Sequence, residues 1–190
     1  MITGLMVLNG MTVGVIANGK EAVLSTGGCK KAEQFMYFCD SFGLPVITFT
    51  NVTGYAADME EEKTISQAVA DMTYAFASSD VPKVNVITGK AYGSAYVAMN
   101  SKHIGADLVL ALDSANVGVM DARVAAQIMC EDEISKEADT KTALDAKAKE
   151  FDELQAGAEG AARRGYVDNV IEVESLRKHL IYAMQMFGMR

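Results

Sequence analysis

Short apolar runs alternate with stretches of helical spacing along most of this chain. Residues 45–49 (PVITF), 84–87 and 108–112 are four or five residues long and almost wholly apolar. Runs that short fit buried strands rather than helices. Between them, apolar residues recur at three- and four-residue intervals. Residues 30–42 place Ala32, Phe35, Met36 and Cys39 on one helical face, closed by Gly43. Residues 65–77 do the same with Ile65, Val69, Met72 and Phe76, after the acidic Glu60-Glu61-Glu62 that suits a helix start. Strand, turn, helix, strand in repetition argues for an α/β fold with helices packed on sheets.

The remaining elements fit that pattern. Runs 2–8 and 12–17 flank Asn9-Gly10, a strong hairpin signal because both residues tolerate positive φ. Residues 51–58 read as loop, 91–99 as helix, 117–120 and 166–171 as strands, and 175–186 as a closing helix. Residues 131–164 are charged and alanine-rich, with Leu144, Ala148, Phe151, Leu154 and Ala158 on one stripe. They read as one or two amphipathic helices, lying on the core or forming an oligomer contact. At 190 residues, with no linker, the chain reads as a single domain, 1–190.

Composition narrows the function classes. The net charge is −8 and no basic run occurs, which argues against nucleic acid. No apolar run reaches the ~20 residues of a membrane span, and MITGLMVLNG lacks the features of a signal peptide. The cysteines, Cys29, Cys39 and Cys130, form no CxxC pair, which fits a reducing cytoplasm. With only His103 and His179 besides, no metal site is expected. Gly27-Gly28-Cys29-Lys30-Lys31 reads as a capping turn or a phosphate cradle.

The segment GKAYGSAY, residues 89–96, holds the densest chemistry. Ser94 as a nucleophile needs a base, and His103, His179, Lys90 and Lys102 are the candidates. The other reading is that backbone amides of this strand-to-helix turn bind a ligand oxygen.

Four blocks in order resemble one family. They are Lys31-Ala32-x-x-Phe35-x-x-x-Cys39-Asp40-x-Phe42-x-x-Pro45, then Gly89-Lys90-Ala91-Tyr92-Gly93-Ser94-Ala95-Tyr96, then Ser101-Lys102-x-x-Gly105-Ala106-Asp107, and finally Gly165-Tyr166-Val167-Asp168-x-Val170-Ile171-Glu172 with Arg177. Together they are similar to the second, C-terminal domain of biotin-dependent acyl-CoA carboxyltransferases. That family includes subunits of acetyl- and propionyl-CoA carboxylases and of methylmalonyl- and glutaconyl-CoA decarboxylases. The resemblance covers nearly the whole chain and is weakest over 131–162. It implies a Clp/crotonase-like spiral of β-β-α units, with an added helical segment near 131–164. It implies biotin, borne on a carrier protein, as the cofactor.

It also implies partners: a first-half subunit that binds acyl-CoA, a biotin carboxyl carrier protein, and further copies of the chain in a homo-oligomer. The chain then looks like a separately encoded subunit or an excised domain, either catalytic or a non-catalytic assembly subunit. By the same resemblance, the Ser94 and Ala95 amides form the oxyanion hole, and Gly54, Tyr55, Tyr92, Gly93, Gly118 and Met120 contact substrate. The sequence departs from the family pattern in loops. Ser94 stands where glycine is usual, and it would be strained if that backbone needs positive φ. Asn51-Val52-Thr53-Gly54-Tyr55 stands for Asp-x-Pro-Gly-Phe. Met120-Asp121-Ala122-Arg123-Val124-Ala125 stands for Met-Gly-x-x-Gly-Ala, with both glycines lost.

Overall fold

The computed structural model describes residues 1–19, 22–137, 139–152 and 157–187. Asn9, at φ 50°, and Gly10, at φ 82°, turn β1 (Ile2–Leu8) back onto β2 (Met11–Ala17) as an antiparallel hairpin. From β2 onward the main sheet is parallel. Its order is β1-β2-β4-β6-β7-β9, where β4 is Val46–Val52, β6 is Lys83–Tyr92, β7 is Leu108–Leu112 and β9 is Asn169–Ile171. A short strand β8 (Asn116–Gly118) also pairs with the far end of β6. Two short strands, β3 (Val23–Leu24) and β5 (Gly54–Tyr55), pair with each other apart from the main sheet. Main strand, short strand and helix therefore recur along the chain.

Strand alternation divides the core between the two faces of the sheet. Val109 and Ala111 face α1 (Thr26–Ser41), α2 (Met59–Ser78) and α3 (Gly93–Ala98), whose buried residues include Met36, Cys39, Met72, Phe76 and Ala95. Leu110 and Leu112 face the other way, with Val84, Val86 and Ile171, against Leu180 and Met184 of α8 (Leu176–Phe187). Gly14 permits the close approach of α1: a Cβ there would lie 2.5 Å from the Cys39 Sγ.

Several boundaries differ from the sequence expectations. Helix α1 begins at Thr26, because the Ser25 side chain accepts from the Gly28 N–H; the Gly27-Gly28 stretch is thus a capping turn. Asp58 caps α2 in the same way, so the Glu60–Glu62 acids fall in its first turn. The 51–58 stretch contains the end of β4 and all of β5. The strand expected at 117–120 is Asn116–Gly118, and that expected at 166–171 is Asn169–Ile171. The helix expected from Ala91 begins at Gly93, because Ala91 and Tyr92 still pair with Val117 and Gly118. Helix α4 (Ala122–Met129) precedes the charged segment, which forms α5 (Glu131–Ile134), α6 (Thr140–Phe151) and α7 (Ala158–Arg163). The stripe residues Leu144, Ala148 and Phe151 are half-buried, and Leu154 lies outside the described residues.

A buried polar network ties β4, β6 and the exit of α3 together. Asn85 Nδ2 donates to the Met99 carbonyl at 3.2 Å, while its Oδ1 accepts from Thr50 at 2.8 Å and Thr48 at 3.2 Å. Asn100, at φ 51°, donates to the Thr48 hydroxyl at 3.0 Å; asparagine is among the few residues that enter this region readily. All four side chains are fully buried. Leaving such groups unpaired costs about 1–3 kcal/mol each. We therefore expect Asn85→Ala to lower the unfolding free energy by about 3 kcal/mol, measured by chemical denaturation; a change under about 0.5 kcal/mol contradicts this account.

Burial also pushes the Cys29 and Cys39 thiols up to about 11, while Cys130 is only partly buried. A thiol raised in the folded state stays protonated until that value, so its contribution to stability is lost as pH rises from 9 toward 11. A thiol reagent at pH 8 should label Cys130 alone in the native protein, and all three cysteines in denaturant.

Candidate functional site

Strand β6 is the middle of the site. Its first half pairs with β4 and β7, and its last residues with β8. Between Ile87 and Ala91, β6 advances four residues while β4 advances two, from Thr50 to Val52. Asn51 fills this bulge: its Oδ1 accepts from the Lys90 N–H at 3.0 Å, and its own N–H donates to Asn18 Oδ1 at 3.2 Å. Gly89 is small for a reason, since a Cβ there would lie 2.7 Å from the Asn51 Oδ1.

Gly93 makes the corner between β6 and α3. Its φ is +60°, and a Cβ would lie 3.1 Å from the Val119 carbonyl oxygen. Ser94, the next residue, is not in the left-handed region. The strain expected for serine in place of glycine is therefore absent, because Gly93 carries the unusual conformation. No side chain caps α3, and neither the Ser94 nor the Ala95 N–H has an acceptor among the described residues.

These amides lie beside a pocket of about 370 Å³. Its walls are Thr53, Gly54 and Tyr55 from the β4–β5 turn, Tyr92 to Ala95 from the corner, and Val119, Met120, Asp121 and Val124 from the entry to α4. It thus gathers Gly54, Tyr55, Tyr92, Gly93, Ser94, Ala95 and Met120. Gly118 lies one pocket away, in an apolar cavity of about 300 Å³ that shares Val119 and Met120 and adds Ala125, Ile128, Met129 and Phe151.

Polar groups around the pocket are mostly committed. Thr53 donates both its N–H, at 2.7 Å, and its hydroxyl, at 3.0 Å, to the Ala22 carbonyl. Asp121 caps α4 through the Arg123 N–H and pairs with Lys90 at 3.4 Å, so its negative charge is offset. Lys90 also sits over the Tyr92 ring. Burial raises the Tyr92 phenol above its ordinary value, and the Asp121 and Asp152 carboxylates add to it. Tyr55 donates its hydroxyl proton to the Ser94 Oγ at 3.1 Å.

None of the candidate bases bonds to Ser94. His103 packs on Tyr166, His179 contacts the Ser175 carbonyl, Lys102 pairs with Asp168, and Lys90 pairs with Asp121. The arrangement can donate hydrogen bonds to a ligand oxygen, and among the described residues no base is paired with Ser94 to activate it as a nucleophile. No group of three His, Cys, Asp or Glu residues that could hold a metal ion occurs among the described residues, and no described helix is long and apolar enough to cross a membrane.

Sequence reasoning missed Val119, whose carbonyl lies beside Gly93, and Asn116, whose side chain donates to Asp152 at 3.3 Å. Both arrive with β8, a pairing that no local pattern announces. The one available signal was Asn116 itself, a polar residue opening an apolar run.

Comparisons with known proteins place the chain in a family and match its overall fold. The chain matches the Carboxyl transferase domain family over residues 1–188. It is 37% identical over 99% of its length to the propionyl-CoA carboxylase beta chain of Saccharopolyspora erythraea, covering 36% of that protein. It is 35% identical over 99% of its length to the methylmalonyl-CoA carboxyltransferase 12S subunit of Propionibacterium freudenreichii subsp. shermanii, covering 37% of it. The crystal structure of transcarboxylase 12S, a hexamer described with methylmalonyl-coenzyme A bound, superposes with a TM-score of 0.93 at 33% identity, over 99% of this chain and 37% of that one. The chain therefore spans less than two fifths of these relatives. Sequence, crotonase-like fold and the β6–α3 corner all lead to one conclusion: the chain belongs to the carboxyl transferase domain family.

Proposed function

We propose that this chain is the biotin-side half of an acyl-CoA carboxyltransferase or decarboxylase, which moves a carboxyl group between biotin on a carrier protein and an acyl-CoA. The observation that carries this reading is the meeting of Tyr92, Gly93, Ser94 and Ala95 with Gly54, Tyr55 and Met120 around one pocket, in a chain of this family. The donor set suits a urea oxygen, since the Ser94 and Ala95 amides have no acceptor among the described residues. When bound, biotin supplies a ureido nitrogen that carries the carboxyl group and a ureido oxygen that gathers negative charge as the group leaves. In this reading the Ser94 and Ala95 amides donate to that oxygen. They are fixed in place before charge develops, so no reorganisation is needed at that moment.

The other residues have supporting parts. Gly93 sets the direction of the amides. Tyr92, its phenol raised by burial, stays neutral and adds no charge beside a developing anion. Lys90 offsets the Asp121 carboxylate at the pocket wall. Acyl-CoA is held in this reading by a separate first-half subunit, and the chain works in the cytoplasm as part of a homo-oligomeric complex.

Mixing the chain with such a subunit, biotinylated carrier protein and methylmalonyl-CoA should give exchange of labelled carboxyl groups. Absence of exchange, together with absence of biotin binding by calorimetry, contradicts the reading. Gly93→Ala places a side chain at φ +60° and against the Val119 carbonyl. The left-handed conformation alone costs about 1–2 kcal/mol. Exchange should fall by at least about tenfold in a protein whose circular dichroism is unchanged. Full activity in this variant would show that the corner does not set the chemistry.

A further inference from the structure

We propose that the Ser94 hydroxyl, positioned by Tyr55, is a specificity-determining donor to an acceptor oxygen of the ligand in this pocket. The inference rests on the reading that the pocket takes biotin, and it deepens that reading. Ser94 is exposed at the pocket wall, and its Oγ accepts the Tyr55 hydroxyl proton at 3.1 Å. A serine hydroxyl has one proton and two lone pairs. Accepting from Tyr55 occupies a lone pair and leaves the proton, which has no acceptor among the described residues. Accepting one bond also polarises the hydroxyl and strengthens the bond that it donates.

Tyr55 is built to hold that hydroxyl. Its ring is half-buried against the main core. Its backbone is fixed on both sides: β5 pairs with β3 through Leu24, and the Ala56 N–H donates to the Leu24 carbonyl at 2.8 Å. Thr53, the neighbouring hydroxyl, is not available, because its proton goes to the Ala22 carbonyl at 3.0 Å. Ser94 stands where the pattern that the chain resembles has glycine, and at Tyr55 the aromatic ring of that pattern is kept with a hydroxyl added. Glycine and phenylalanine there would leave no hydroxyl on either side. The two departures thus make a single new feature. A ligand with an oxygen at that point gains a bond, and one without it leaves the hydroxyl unpaired.

The test is calorimetric titration of free biotin into four proteins: wild type, Tyr55→Phe, Ser94→Ala and the double variant, each checked for cooperative melting. Ser94→Ala should weaken biotin about fivefold, the worth of one neutral hydrogen bond. Tyr55→Phe should weaken it about two- to threefold. In the Ser94→Ala background, Tyr55→Phe should change nothing further, because Tyr55 acts through the serine. If wild type binds biotin and Ser94→Ala binds equally well, this inference fails while the biotin-side reading stands. If Tyr55→Phe costs the same in both backgrounds, its role is structural and the positioning claim fails. If wild type does not bind biotin, both readings fall.

Discussion

One left-handed glycine governs the site. Gly93 turns the chain from β6 into α3 at φ +60°, where a side chain would be strained and would crowd the Val119 carbonyl. Val119 follows β8 directly, and the pairing of β8 with the far end of β6 brings it to the corner. Below it, Asn85 holds β6 to β4 and grips the Met99 carbonyl just past the end of α3. The helix is therefore held near both ends, at its entry by a steric constraint and at its exit by buried hydrogen bonds. The short helix needs this support, since six residues cannot sustain a helix alone.

Much of the scaffold was legible in the sequence. Asn9-Gly10 gave the hairpin because both residues adopt positive φ. PVITF and LVLAL gave buried strands because both of their faces meet core. What escaped notice depends on tertiary pairing. Strands β3 and β5 have two residues each and exist only through each other. The end of β6, rich in small and polar residues, looked like a turn. It remains a strand because Asn51 satisfies its bulge and β8 pairs with its last residues. Helix α4 is capped by Asp121, a role that was hidden behind the loss of a glycine.

The site residues were legible through resemblance rather than through pattern. The spacing of GKAYGSAY announces a corner, not what the corner binds. The structure also changes how the departures read. Asn51 bonds to Lys90, Thr53 to Ala22, Asp121 to Lys90 and Arg123, and Tyr55 to Ser94. Four of the altered residues thus have partners, and Asp121 adopts φ −58°, so the lost glycine there leaves no strained backbone. These residues stand around or behind a pocket whose corner is Gly93.

The central claim is that the Ser94 and Ala95 amides receive a ligand oxygen. It is tested most directly by following the backbone amide resonances of the protein by NMR as biotin is added. The account predicts that the largest shifts fall on Ser94 and Ala95, with smaller ones on Gly54 and Tyr55 across the pocket. Shifts centred elsewhere, or none at saturating biotin, would contradict it.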